Sequence, residues 1–435
     1  MLISFYTYLK FICIKWLILI QIFLNMEDHN STNISDVGNL NKRIVIGIQF
    51  LFVAFGATVL VPLLIDIDPA VALFTAGVGT LIFHLITKGK VPVFLGSSFA
   101  FIAPIVAATK LYGYPGTLGG LIAVGIVYGV VSAIVKFWGL RVIEKIFPSI
   151  VVGPVIMIIG LSLATVGVDM AKSNWPIALA VLATAVVIVV FSKGLLKLIP
   201  IFIGIAVGYI ISILAGLVDF TTVNEAAWFA LPNFTTPEFN WAAIVYMIPV
   251  AVAPIIEHIG DMYAIGGVAE KEFVKKPGLH RTLLGDGIAT AFAGFLGGPP
   301  NTTYSEVTGA VALTKIVDPR VLRIAAVTAI VFSLIGKISA LLKTIPAAVL
   351  GGIMLLLFGM IASIGIKTLV DSKTDFSNTR NQVIVSIILT IGIGGAQLSY
   401  GNFSLAGIGL ASIVGVILNL VIPNKTKPIK SSHID

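Results

Sequence analysis

The chain has 435 residues, of which 57% are hydrophobic and 11% charged, and a formal net charge of +8. Soluble domains carry about a quarter charged residues, so this is a polytopic membrane protein with no evident soluble domain. Its single cysteine, Cys13, excludes an internal disulfide and a thiolate metal cluster.

The first 25 residues, MLISFYTYLKFICIKWLILIQIFLN, are apolar with Lys10 and Lys15 inside them. They lack a small-residue cleavage site, which argues against a secretory signal. Met26 opens a polar stretch, MEDHNSTNISD, that reads as a cytoplasmic tail, and translation is expected to start there. Fourteen spans follow, at about 44–64, 70–86, 94–108, 117–137, 148–168, 176–192, 195–218, 243–265, 281–297, 302–315, 319–341, 345–369, 381–397 and 404–422. The third and tenth are the shortest, too short for straight membrane helices.

With residue 42 placed inside, 22 of the 28 Lys and Arg fall in cytoplasmic tails, loops and span ends. Four fall outside, Lys110, Lys172, Lys337 and Lys343, and the longest outer loop, 219–242, has none. This asymmetry puts both termini in the cytoplasm of a cell-membrane protein. It also accounts for the basic charge without a nucleic-acid partner.

The halves repeat. PSIVVGPVIM (148–157) and PAAVLGGIML (346–355) share Pro148/Pro346, Val151/Val349 and Gly153/Gly351 at one offset. Gly56 of AFGATV and Gly260 of HIGDMY match at a similar one. Seven spans per half is an odd number, so the second copy is inverted. Inverted repeats with paired interrupted spans are a transporter signature, with the substrate site near the midplane.

The interrupted spans are VPVFLGSSFAFIAPI (91–105) and GGPPNTTYSEVTGAV (297–311). Non-helical backbone at membrane depth survives only where protein or a cavity satisfies it. A half-helix that begins after such a break aims free N–H groups at the site. Backbone donors are therefore expected around Phe99 and Ser305. The competing reading is a Pro/Gly kink used for packing.

Glu257 and Asp261, in VAPIIEHIGDMYAIG (252–266), are spaced i, i+4 and share a helix face. Glu306 lies in the tenth span. An ionised acid at the bilayer centre costs about 2.5–3.5 kcal/mol on insertion scales, so these acids must be protonated, paired or solvated in a cavity. For Asp261 and Asp286 a second reading is open, as span-end acids in contact with water. His258 faces away from Glu257 and reads as structural. No HExxH, GxSxG, Walker A or Cys/His cluster occurs, which argues against a metalloprotease, a serine hydrolase and an ATP-driven pump. No metal or other cofactor is expected. Carboxylate acceptors facing half-helix donors suit a small planar ligand with alternating N–H and C=O groups. A nucleobase such as uracil fits, with Phe99, Phe101 and Tyr304 flanking its faces. A channel, an anion transporter and a membrane-embedded acid–base enzyme are the competing classes.

FGATVLVP (55–62), LGSSFAFI (95–102), WFALP (228–232), EHIG (257–260), PGLHR (277–281) and PPNTTYSE (299–306) occur in this order. In these stretches, and from about residue 44 to 422, the chain resembles the nucleobase–cation symporter family, also called nucleobase–ascorbate transporters, in its uracil-transporting branch. The resemblance implies an all-α protein of fourteen spans in a 7+7 inverted repeat, with short antiparallel strands in spans 3 and 10. The core domain would be 44–137 and 243–341, the gate domain 138–218 and 342–422. A tail (1–43), an outer loop (219–242) and a second tail (423–435) complete the chain. It implies import of uracil, driven by protons or Na+, by a homodimer whose core moves against its gate. A purine symporter is the runner-up. Carried over, Glu257 and Glu306 would bind the base, the N–H groups of Phe99 and Ser305 would meet its carbonyls, and Ala57 and Tyr304 would shape the pocket. Asp261 would serve proton coupling with Glu257. A Glu at 306 looks like a pyrimidine transporter, since purine members usually have Gln. Departures are Asp261 where the uracil branch has His, Phe50 where a Gln–His pair is common after Gln49, Ser305 in place of Gly, and Phe358 in place of Tyr.

Overall fold

A computed structural model describes residues 40–400 and 403–423. The apolar stretch 1–25 with Cys13, Met26 as a start, and the tail beyond 423 lie outside the described residues.

The elements follow from local chemistry. Helix α1 (Leu40–Leu64) opens on Asn41, Lys42 and Arg43 and is mainly apolar from Ile44 onward. The turn after it ends at Asp68, whose side chain accepts from Ala70 N and caps α2 (Pro69–Ile86), with Pro69 in its first turn. This is the usual use of an acidic N-cap followed by proline. Strand β1 (Leu95–Ser97) and a 3-10 turn (Phe99–Phe101) lead into α3 (Ile102–Trp138). Gly113 breaks α3 with φ 74° and ψ 163°, a left-handed φ that favours glycine, and Pro115 follows. The third predicted span comprises β1, the 3-10 turn and the start of the first limb of this kinked helix, and the fourth is its second limb.

Short α4 (Arg141–Ile146) precedes α5 (Ser149–Ser162), α6 (Ala164–Ala171), α7 (Trp175–Phe191) and α8 (Pro200–Leu214). The loop at 219–242 holds α9 (Thr221–Glu225). Next come α10 (Trp241–Met247), a 3-10 turn at Ile248–Ala251 and α11 (Val252–Ala269), then α12 (Leu279–Phe295), strand β2 (Asn301–Thr303) and α13 (Ser305–Thr314). Finally α14 (Pro319–Ser333), α15 (Gly336–Lys343), α16 (Ala347–Asp371) and α17 (Thr379–Ile393) lead to a hairpin of β3 (Gln397–Tyr400) and β4 (Phe403–Ala406), and to α18 (Gly407–Val421).

Three expectations are corrected. The predicted span 319–341 is two helices. They part where Ile335 forms a β-bridge with Phe229 of the 219–242 loop, and α15 is a separate short helix beyond it. The predicted span 404–422 starts as strand, because 397–406 folds as a hairpin. The predicted span 195–218 begins as a 3-10 turn at Gly194–Leu198, and its helix ends at Leu214.

Among the described residues, six helical stretches are long and apolar enough to cross a membrane, and four shorter apolar helices accompany them. Helix α12 packs along α3 and α2, α14 along α2 and α1, and α10 along α3. Separately, α16 packs along α5, α6 and α7, α7 along α8, and α17 along α5 and α18. Helix α11 touches α13, α12 of the first group and α5 of the second. The prolines of the sequence repeat, Pro148 and Pro346, cap the starts of α5 and α16, which pack on each other.

Candidate functional site

The two interrupted segments meet. Strands β1 and β2 pair antiparallel, Leu95 with Thr303, Gly96 with Thr302 and Ser97 with Asn301. Ser98 N donates to Pro300 O (2.9 Å) and Tyr304 N to Phe94 O (3.3 Å), so pairing continues past both strand ends. Each strand then runs into a helix start, at Phe99 and at Ser305. The chain breaks here because Gly96 and the Gly–Gly–Pro–Pro run (297–300) disfavour continuous helix.

Such short strands leave peptide groups that neighbouring helices must satisfy. Thr80 Oγ1 accepts from Leu95 N at 2.9 Å. Asn301 Nδ2 donates to Thr75 O and Ala289 O, at 3.0 and 3.3 Å. Thr290 Oγ1 donates to Asn301 O at 2.9 Å, Ser97 Oγ to Thr58 O at 3.1 Å, and Tyr304 Oη to Ser97 O at 2.9 Å. A Cβ added at Gly96 would stand 2.4 Å from the Tyr304 ring, so glycine is required for the crossing. The break is thus a built structure rather than a packing kink.

Helix α11 lies beside it. Both oxygens of Asp261 are engaged: Thr303 Oγ1 donates to Oδ2 and Ser305 Oγ to Oδ1, each at 2.7 Å. These donors lie on either side of Tyr304, one in β2 and one in the first turn of α13. Asp261 is 6% exposed and Asp286 fully buried, which overturns the reading of either as a span-end acid in water. Glu257, one turn earlier on the same face, is exposed, as is Ser305, and Glu306 is half-buried. Exposed positions of α11 include Glu257, Gly260, Ala264 and Gly267, which share one face, and Tyr263 beside them. One open face therefore runs from Glu257 to the helix end that leads to Lys271.

Of the aromatic residues expected around a ligand, Phe99 is half-buried, while Phe101 and Tyr304 are 1% and 3% exposed. Phe101 packs in the core. Tyr304 spends its hydroxyl on Ser97 and supports the strand pair from beneath. Ala57, 2% exposed, lies on α1 a helical step before Thr58, whose hydroxyl approaches Tyr304 Oη at 3.4 Å.

On the far side of α11, His258 Nδ1 stands 3.1 Å from Asp286 Oδ2 of α12, both side chains fully buried. The contact is out of line for a hydrogen bond, and Tyr128 Oη is also buried without a partner. The edge of Phe83 packs on His258, ring centroids 6.2 Å apart. Sequence reasoning left His258 and Asp286 unconnected, and it missed Thr303 as a partner of Asp261. The signal for Thr303 was the density of hydroxyls in NTTYSE.

A model of the Permease family matches residues 41–400. A probable uracil permease of Haemophilus influenzae is 52% identical, covering 88% of this chain and 94% of that protein. The uracil permeases of Bacillus caldolyticus and Escherichia coli are 47% and 41% identical, covering 90% and 89% of this chain and 95% and 93% of their own. Among solved structures, the transmembrane domain of the cyanobacterial bicarbonate transporter BicA superposes with a TM-score of 0.59 at 17% identity, covering 88% of this chain and 98% of that one. Murine Solute Carrier 26 family member A9 superposes at 0.64 and 12% identity, covering 88% and 68%. These two likenesses establish the fold alone, that of a mostly helical, multi-pass membrane transporter.

Proposed function

Since the chain belongs to the Permease family that includes the uracil permeases, a family of transporters rather than enzymes, we propose that it imports uracil together with protons by alternating access. The observation that carries the reading is the meeting of two broken helices beside Glu257 and Glu306. In the proposal, Glu257 and Glu306 accept hydrogen bonds from the N–H groups of the base. The backbone N–H groups at Phe99 and Ser305 donate to its carbonyls. Phe99 covers one face, while Ala57 and Tyr304 set the depth of the pocket.

The proton enters for an electrostatic reason. An unpaired carboxylate carried through the membrane centre costs about 2.5–3.5 kcal/mol, so Glu257 crosses more readily protonated, or sharing a proton with Asp261. Coupling then requires that proton and base favour the same state. We read the chain as fourteen spans in a 7+7 inverted repeat, with a core of spans 1–4 and 8–11 that moves against a gate of spans 5–7 and 12–14. Both termini lie in the cytoplasm of a cell-membrane homodimer. On this orientation the open face of α11 leads from Glu257 toward the cytoplasm, the expected release path.

The printed substrates of the relatives and the acid at 306 favour a pyrimidine over a purine. Competition tests this choice. Unlabelled uracil should suppress labelled uracil uptake, and xanthine and hypoxanthine should not. Suppression by the purines at equal concentration would move the assignment to a purine symporter.

A further inference from the structure

A second built cavity lies far from the strand crossing, at the helix ends that carry Lys145 and Arg380. It has a volume of about 550 Å³, and its lining includes Lys145, Ser149, Ser372, Thr374, Arg380 and Asn419, with no acid. Arg380 is held rigidly. Its Nε donates to Ile422 O at 2.8 Å, and one terminal nitrogen donates to Asn419 O at 2.7 Å and Asn419 Oδ1 at 2.9 Å. The other terminal nitrogen reaches Asn381 Oδ1 at 3.4 Å.

All these acceptors are neutral. They fix the guanidinium without cancelling its charge, and no carboxylate among the described residues lies within 4 Å of Arg380 or Lys145. The main-chain oxygen of Lys145 accepts from Asn419 Nδ2 at 3.2 Å, so the asparagine that holds the Arg380 guanidinium also holds the backbone of Lys145. A second basic cavity, around Lys90 and Lys271, differs. Glu272 lines it and pairs with Lys275 at 2.7 Å.

A guanidinium fixed by neutral acceptors, with the Lys145 ammonium lining the same cavity and no acid among the lining residues, calls for an anion. The same cavity is lined by Leu420, which is 57% exposed, and α18 adds Ile417 and Val421, 51% and 72% exposed. An anion seated here has apolar side chains beside it at the end of a membrane helix, which suits acyl chains better than water. We propose that this cavity binds the phosphate headgroup of an anionic phospholipid. Lys145 and Arg380 meet the phosphate, and the acyl chains run along Ile417, Leu420 and Val421. Basic pockets between helices at a membrane surface are a known mode of headgroup recognition. The lipid would join α4, α5, the turn before α17 and the end of α18.

The test is native mass spectrometry and thermal melting of the full purified chain. It compares phosphatidylglycerol with phosphatidylcholine of the same acyl chains. Phosphatidylglycerol should be retained and should raise the melting temperature, while phosphatidylcholine should do neither. Lys145→Gln should reduce retention about fivefold, the share of one basic residue near a membrane surface. Arg380 also anchors backbone, so Lys145, whose side chain holds no other group among the described residues, is the informative variant. Glu257→Gln should retain the lipid normally. Equal retention of the two lipids, or unchanged retention by Lys145→Gln, overturns the proposal. So does millimolar inorganic phosphate that displaces the lipid and reproduces its stabilisation, since the cavity would then serve a free oxyanion.

Discussion

The hydroxyl of Ser305 donates to Asp261 Oδ1 at 2.7 Å, tying the start of α13 to the middle of α11. With Thr303 on Oδ2, one carboxylate holds both sides of the second break. Hydrogen bonds to charged groups contribute about 1.5–3 kcal/mol each. Groups sharing a carboxylate should couple by about 0.5–3 kcal/mol. Ser305→Ala and Thr303→Val should each lower uracil uptake several-fold. The double variant should depart from the product of the two, as a double-mutant cycle on uptake rates would measure. Strict multiplicativity would mean that Asp261 does not link the strand to the helix.

Glu257 carries the binding claim. Replacing it with Gln substitutes a neutral amide for an acceptor-only group, and loss of about 1.5–3 kcal/mol corresponds to a decrease in affinity on the order of 10- to 100-fold. Equilibrium binding of labelled uracil to purified Glu257→Gln protein checks this, and wild-type affinity would remove Glu257 from the site.

The buried His258–Asp286 contact makes a stability prediction with a distinctive pattern. Removing one partner of a buried pair strands the other, at about 3–5 kcal/mol, whereas replacing both with apolar groups is often neutral. Asp286→Leu or His258→Leu alone should lower the melting temperature far more than the two together. A double variant that melts below both singles would show that the pair is not a unit.

Outside the spans, Asp68 makes a pH prediction. Burial pushes its carboxyl up, but the Ser339 hydroxyl, the Ala70 N–H, the Lys343 ammonium at 3.5 Å and the Asn233 N–H outweigh this and hold it below 3.8. A carboxyl lowered in the folded state adds stability that is complete above the unfolded value, about 3.9, and is lost as pH falls through the folded one. Wild type should therefore melt above Asp68→Asn at pH 7, and the gap should close as the pH falls below the ordinary carboxylate range. A gap that persists at the lowest pH would assign Asp68 a role independent of its charge.

Much of this site was legible in the sequence because its signals are local. The Gly/Pro runs mark both breaks, and i, i+4 spacing puts Glu257 and Asp261 on one face. What was not legible is pairwise and distant. Nothing local to Asp286 names His258, 28 positions away. Thr303 finds Asp261 only because β2 pairs with β1. The 397–406 hairpin escaped because a short apolar run reads equally as strand or buried helix. Tyr304 and Phe101 look like ligand-facing aromatics until packing shows their rings enclosed.

The central claim is proton-driven uracil import, and uptake of radiolabelled uracil into proteoliposomes tests it most directly. An inward proton gradient is imposed, with and without a protonophore. The account predicts accumulation above equilibrium that the protonophore abolishes. Accumulation that survives the protonophore, or no uptake by protein that is folded and correctly inserted, would contradict it.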